Sequence, residues 1–190
     1  MPDSKRVRAE NKEDWQRDEW ESDMVAELRK DRWFRWFDSG DMYTVTLAWK
    51  IYRVMRDTPH VKHWLPTRCH KFAKYAEVLA AMQALPNVMV RFSSDHVDGT
   101  YTEGLHGSCI IPTADKLPNG VQLCHAANND GKCGPCRACY DRDVPVIGYV
   151  AHGAKMNKVL RGIGIVVEKH ARPATTAARV PGRARAKKAA

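Results

Sequence analysis

Three short β-prone runs, separated by two amphipathic stretches of helical length, constrain the fold of this chain more than any other feature. Residues 33–37 (WFRWF), 61–67 (VKHWLPT) and 88–92 (VMVRF) are aromatic or β-branched and short enough for strands. Residues 42–56 repeat apolar side chains at helical spacing through Val45, Ala48, Tyr52 and Met55. Residues 71–85 do so through Phe72, Tyr75, Ala76, Leu79 and Met82. Thr58-Pro59 and Leu85-Pro86-Asn87 stop these helices, because proline cannot continue the hydrogen-bond ladder. Strand–helix–strand–helix–strand with short connections predicts parallel βα units. An earlier helix is expected at 11–30, with Asn11 as N-cap and Trp20, Met24, Val25 and Leu28 on its apolar face.

After Phe92 the rhythm breaks. Residues 93–120, rich in Gly, Asp, Thr and His, read as a long loop with one short strand near 108–111. Short strands follow at 121–124 and 144–150, and residues 163–167 lean the same way. The expected fold is α/β: a small parallel or mixed sheet with flanking helices, an incomplete βα barrel, in one domain over 1–168. Its cysteine-rich loop lies near the C-terminal end.

That loop carries the clearest chemistry. Cys124, Cys133, Cys136 and Cys139 are spaced C-x8-C-x2-C-x2-C, and Gly131, Gly134 and Pro135 between them favour tight turns. Packing alone does not call for three thiols at i, i+3 and i+6. A short looping backbone of this type turns thiolates toward one centre, as an iron–sulfur cluster of the [4Fe-4S] kind requires. Lys132 and Arg137 would offset the cluster's negative charge. Structural zinc is the second reading, with His125 as an alternative ligand, although zinc knuckles usually come as two separated pairs. The third notes that Cys133–Cys136 spells C-G-P-C, a dithiol-exchange motif, but it follows a polar loop instead of a buried strand. Nothing marks the chain as secreted, so disulfide stapling is not expected. Cys69 and Cys109 read as ordinary buried thiols.

Polar residues collect at the predicted strand ends, where parallel α/β folds bind ligands. Asp38, Ser39 and Asp41 follow the first strand, Thr67 and Arg68 close the second, Ser93, Ser94 and Asp95 follow the third, and His152 follows 144–150. Asp38, Asp41, Arg68, Asp95 and His152 are the pocket candidates, with the aspartates for polar groups and Arg68 for an anion. Capping and turn formation account for Ser39, Gly40 and Asp41 equally well. Arg91, inside an apolar strand, calls for a carboxylate or anion partner if buried. Trp33, Phe34, Trp36 and Phe37 are expected in the core, and His60, His63 and His70 as structural histidines.

The net charge of +9 is unevenly placed. Residues 169–190 hold seven Lys or Arg and no acid, leaving 1–168 at +2. This basic, Ala-rich tail with Pro173 and Pro181 is expected to be disordered, and it can contact nucleic acid by neutralising phosphates. A purely solubilising tail fits equally well. No stretch reaches the length of a membrane span and no signal peptide is evident, so a cytoplasmic, non-membrane protein is expected.

Five segments carry a family resemblance: FRWFDSGD (34–41), HWLPTR (63–68), NVMVRFSSD (87–95), KCGPCRACYD (132–141) and YVAHG (149–153). In this order, over roughly residues 8–156, the chain resembles the bacteriophage gene product 88 domain family. The resemblance implies a phage origin and a bacterial host cytoplasm, and no established reaction. Members of that family extend further N-terminally with additional cysteines, so a missing N-terminal βα unit, a partner segment or self-association is an expectation. More distantly, the βα units with a cysteine-held cluster resemble partial barrels of the radical S-adenosylmethionine type. Those use C-x3-C-x2-C after the first strand, whereas here the motif is late and four thiols can saturate a cluster.

Overall fold

The computed structural model describes residues 4–37, 40–129, 131–152, 154–162 and 164. The tail at 169–190 and, Gly164 apart, the expected strand at 163–167 lie outside them. Six strands form one sheet: β1 (Trp33–Arg35), β2 (Lys62–Thr67), β3 (Val88–Ser93), β4 (Gly107–Ile111), β5 (Gln122–Leu123) and β6 (Val146–Val150). Every pairing is parallel, the order is β1-β2-β3-β4-β6-β5, and the sheet curls as a half-barrel.

Strand alternation sorts the side chains onto two faces. His63, Leu65, Thr67, Val88, Val90 and Phe92 share one face by register. Helices α3 (Val45–Asp57) and α4 (Ala76–Ala84) cover it, with Leu47, Ile51, Val54, Met55, Val78, Leu79 and Met82 in the same core. Trp64, Met89, Arg91, Ile147 and Tyr149 lie on the other face.

The strand order explains what covers that second face. From β1 to β4 the chain steps one way across the sheet, and right-handed connections keep the covering segments on one side. The β4–β5 link continues in that direction, and its Leu117 and Val121 pack on Cys109, Ile111 and Val146, on the helical side. From β5 the chain steps back to β6, so a right-handed return must cross the opposite face. That return is residues 124–145, the cysteine loop. Cys139 there packs with Trp64 and Ile147, and Cys124, Ala138, Tyr140 and Val144 pack around them.

Helix α3 begins at Thr44, whose hydroxyl accepts the Leu47 amide at 3.1 Å. It ends at Thr58, whose hydroxyl donates to the Val54 carbonyl at 2.6 Å. Its buried stripe is Leu47, Ala48, Ile51, Val54 and Met55, while Val45 and Tyr52 are half-buried, so the helix is rotated from the expected face. Each fully buried aliphatic side chain here contributes roughly 1.5–3 kcal/mol.

Several other expectations are corrected. The helix expected at 11–30 is two helices, α1 (Ser4–Asp14) and α2 (Trp20–Glu27), and Asn11 lies inside the first instead of capping it. The segment 71–85 starts as two 3-10 turns, so Phe72 points outward at 57% exposure and Ala76 is exposed too. Trp33, on the edge strand, is 41% exposed, whereas Trp36 is buried and Phe34 and Phe37 are half-buried. Ala154–Gly162 forms helix α5. Cys69 and Cys109 are buried as expected.

Pro66 shapes the functional end of the sheet. Amides of β2 alternate between neighbours: Lys62 donates to the Arg32 carbonyl at 2.9 Å and His63 to that of Asn87 at 2.8 Å. By this alternation position 66 faces β1, and proline has no amide proton to give. The β1–β2 ladder stops at Trp36, which donates to Trp64 at 2.9 Å. Phe37 then turns to φ 54°, and the first strand peels away from the second. A cavity opens where they part.

Candidate functional site

All four loop cysteines, Cys124, Cys133, Cys136 and Cys139, border one cavity of about 290 Å³. Cys124 stands immediately past β5, half-buried, and its amide donates to the Gly148 carbonyl at 2.8 Å. Cys139 lies in a 3-10 turn before β6 and is buried, with its sulfur 3.4 Å from the Tyr149 hydroxyl. Cys133 and Cys136 are exposed at the tip, where Gly134 takes φ 55°. Burial pushes the Cys124 and Cys139 thiols up, and the proximity of Cys133 adds to both effects. His125 borders the same cavity. Among the described residues, no three Cys, His, Asp or Glu side chains converge closely enough to grip a metal ion.

The wall behind the thiols is built from the sheet's second face. Arg91 is fully buried on β3. The sequence calls for a carboxylate or anion beside it, but its recorded hydrogen bonds all go to backbone carbonyls. Nε donates to Cys139 at 2.9 Å and Nη2 to Ala138 and Asp141, each at 2.8 Å. Nη1 donates to Pro145 at 3.2 Å and more weakly to Gly107 at 3.5 Å. One side chain therefore fixes the turn that carries Cys139. Desolvation lowers the Arg91 pKa, and the Cys139 sulfur is first among the groups opposing that shift. Trp64, also against Cys139, has an indole N–H buried without a hydrogen-bond partner among the described residues. Tyr140 packs edge-on against Trp33 at 5.0 Å and Trp64 at 5.9 Å, and Arg137 lies 5.3 Å from the Trp33 ring.

The second cavity, about 550 Å³, opens at the carboxyl ends of β1, β2 and β3 between Arg35, Phe37, Asp41, Arg68, Phe72 and Ser93. Asp41 is tied inward. One carboxylate oxygen accepts from the Thr67 hydroxyl and the Met42 amide, both at 2.8 Å, and the other from the Arg68 amide at 2.6 Å. It caps the end of β2, as the turn-forming reading of that segment allowed. Arg68 donates to Asp95 at 3.0 Å and to the Ser94 carbonyl at 3.2 Å, and Lys71 pairs with the same aspartate. Thus Asp41, Arg68 and Asp95 come together. His152 is exposed just past β6 and does not line this cavity, and Asp38 lies outside the described residues.

Arg35 borders one cavity and acts on the other through its charge. It lines the strand-end one, its guanidinium lies 4.7 Å from the Trp64 ring, and its charge favours the ionised form of Cys124. Sequence reasoning passed over Arg35, Trp64 and Tyr149. Period-2 alternation was the available signal, since it puts Arg35 and Trp64 on the face away from the helices.

No helix among the described residues is long and apolar enough to cross a membrane. Residues 1–157 match the family described as Gene product 88. The chain is similar to the Gene 88 protein of Mycobacterium phage L5, at 29% identity over 144 residues, covering 62% of this chain and 57% of that protein. It thus spans a little over half the length of that curated relative. No solved structure matches.

Proposed function

The chain belongs to the gene product 88 family of phage proteins, and from the geometry of its cysteine loop we propose that it binds an iron–sulfur cluster through Cys124, Cys133, Cys136 and Cys139. The observation that carries this reading is the four thiols opening on one cavity of about 290 Å³. A single zinc ion, with sulfurs at about 2.3 Å, would need all four drawn to roughly 3.8 Å from one another. A polynuclear group fits a cavity with four separate thiols at its border. Cys133 and Cys136 are exposed on a glycine-containing tip, and ligation would require that tip to close toward Cys124 and Cys139.

The surroundings supply what thiolate ligands need. Arg91, Arg35 and Arg137 bring positive charge, and the buried Trp64 N–H is a donor whose hydrogen-bonding capacity a sulfur acceptor would satisfy. When bound, a cluster of this kind supplies one-electron redox chemistry. This chain's residues hold the ligands in place, exclude water from the Cys139 side, and leave the strand-end cavity next door as the place for a reacting partner.

The test is anaerobic purification of the full chain, with iron, sulfide and zinc analysis and an absorption spectrum, on wild type and Cys136→Ser. About four irons with matching sulfide and broad visible absorbance are expected, both lost in the variant. One zinc per chain without colour would overturn the cluster. It would leave a structural site and the reading in which the basic tail contacts nucleic acid.

A further inference from the structure

The chain has six cysteines, and the fold divides them unevenly. Cys69, Cys109 and Cys139 are buried and Cys124 is half-buried. Burial pushes all four of these thiols up, Cys69 to about 11. Thiol–disulfide exchange runs through an accessible thiolate, so these four are poor nucleophiles at neutral pH. Cys133 and Cys136 are the two exposed thiols.

Those two stand at the ends of one tight turn. The Cys136 amide donates to the Cys133 carbonyl at 3.1 Å, across Gly134 and Pro135. Gly134 takes φ 55°, which glycine adopts without penalty, and the Pro135 ring fixes its own φ at about −65°. A positive φ followed by a negative one is the type II′ turn. A β-turn keeps its first and fourth Cα atoms within about 7 Å, and a disulfide spans about 4.4–6.8 Å. The turn is braced by its neighbours as well. Arg137 Nη1 donates to the Gly134 carbonyl at 2.7 Å and to that of Cys136 at 2.6 Å. Asn129 Nδ2 donates to the Lys132 carbonyl at 2.9 Å, just before the turn.

We propose that Cys133 and Cys136 are a reversible dithiol that exchanges with low-molecular-weight disulfides and closes a Cys133–Cys136 disulfide across this turn. One tip thiolate attacks the incoming disulfide, forms a mixed disulfide and releases one small thiol. The other tip thiolate then attacks the chain's own sulfur in the mixed disulfide and releases the second. The chain's dithiol loses two electrons, the small disulfide gains them, and the two thiol protons pass to the released thiols. A bonded pair cannot ligate, so the reaction withdraws two of the four proposed ligands and controls metal loading. That regulatory meaning rests on the proposed function, whereas the exchange itself needs no metal.

To test it, the full chain is stripped of any metal anaerobically with EDTA and bipyridyl, treated with oxidised glutathione, alkylated and digested with trypsin. Cleavage after Lys132 and Arg137 leaves both tip thiols on one short peptide, residues 133–137. That peptide is expected unalkylated, free of glutathione and two hydrogens lighter than its reduced form, with four of the six thiols still titrating. Dithiothreitol should restore all six. In Cys136→Ser, glutathione should stay on Cys133, because no second thiol stands across the turn to release it. Glutathione retained on the wild-type tip, a bond from either tip thiol to Cys124 or Cys139, or no reaction at all would overturn the proposal. Iron, sulfide and zinc analysis before stripping tests the cluster separately, so a chain with a full cluster and no exchange refutes the dithiol alone.

Discussion

His63 shows how one buried polar side chain ties the helical layer to the sheet. Thr58 Oγ donates to Val54 and therefore accepts from His63 Nε2 at 2.9 Å, while the Trp36 indole donates to His63 Nδ1 at 3.3 Å. This network assigns the neutral, Nε2-protonated tautomer and has no place for a second proton. Burial lowers the His63 pKa to about 4, from an ordinary value of 6.5. The unfolded chain therefore takes up a proton at a higher pH than the folded one. The stabilisation is full above pH 6.5 and is lost as pH falls to about 4, by about 3 kcal/mol in all. Urea midpoints measured between pH 7.5 and 4 should fall over that window. In His63→Gln this fall should be much reduced, and an equal decline in the variant would assign the loss to other groups. The depressed carboxylates Glu21 and Asp57 act at lower pH, below the ordinary carboxylate range.

At the scale of the element, the cysteine loop is held less by its own sequence than by Arg91. Polar loops with two glycines and a proline adopt many conformations, and the packing of Ala138, Cys139 and Tyr140 on Trp64 and Ile147 does not by itself fix their backbone. Five donors from one immobile side chain fix it instead, reaching carbonyls 47 to 54 residues downstream as well as Gly107. Arg91→Lys keeps the charge but offers three donors in a different geometry. Arg91→Met removes all of them and strands several buried carbonyls, a loss of roughly 2–4 kcal/mol. The expected order of both urea stability and metal retained per chain is wild type, then Lys, then Met. Full metal retention in Arg91→Met would show that the thiols position themselves. The sequence displayed this residue as an arginine in an apolar strand, so the need for a partner was legible. Its partners were not, because carbonyls carry no residue-type signature and the contact depends on a fold-back across the sheet. Asp41 presents the converse case. Its capping role was legible locally, but the amide it caps is on the next strand.

The whole molecule is asymmetric, and the asymmetry follows from one reversal of strand order. The βα rhythm from residue 33 to 92 made the first three strands and their helices readable, since each unit is set by local periodicity and stop signals. The insertion of β6 between β4 and β5 was not readable, because β5 pairs through only two residues and no local pattern orders it outside β6. Yet that reversal sends the cysteine loop to the face without helices, beside a switch in strand order of the kind where open α/β sheets place ligands. The helical face buries a continuous core from Trp20 through Phe92, whereas on the loop face the buried apolar cluster is Trp64, Cys139 and Ile147. The two layers should therefore open separately. If metal merely stapled the fold, chelation would unfold the protein. With the core on the helical side, chelation or Cys136→Ser should leave far-ultraviolet circular dichroism and the main unfolding transition nearly unchanged. Amide exchange should quicken over residues 124–145 and at β5, while β2, β3 and α3 keep their protection. Loss of protection in β2 and β3 together with the loop would mean that the two layers form one cooperative unit, with the cysteine loop as part of its core.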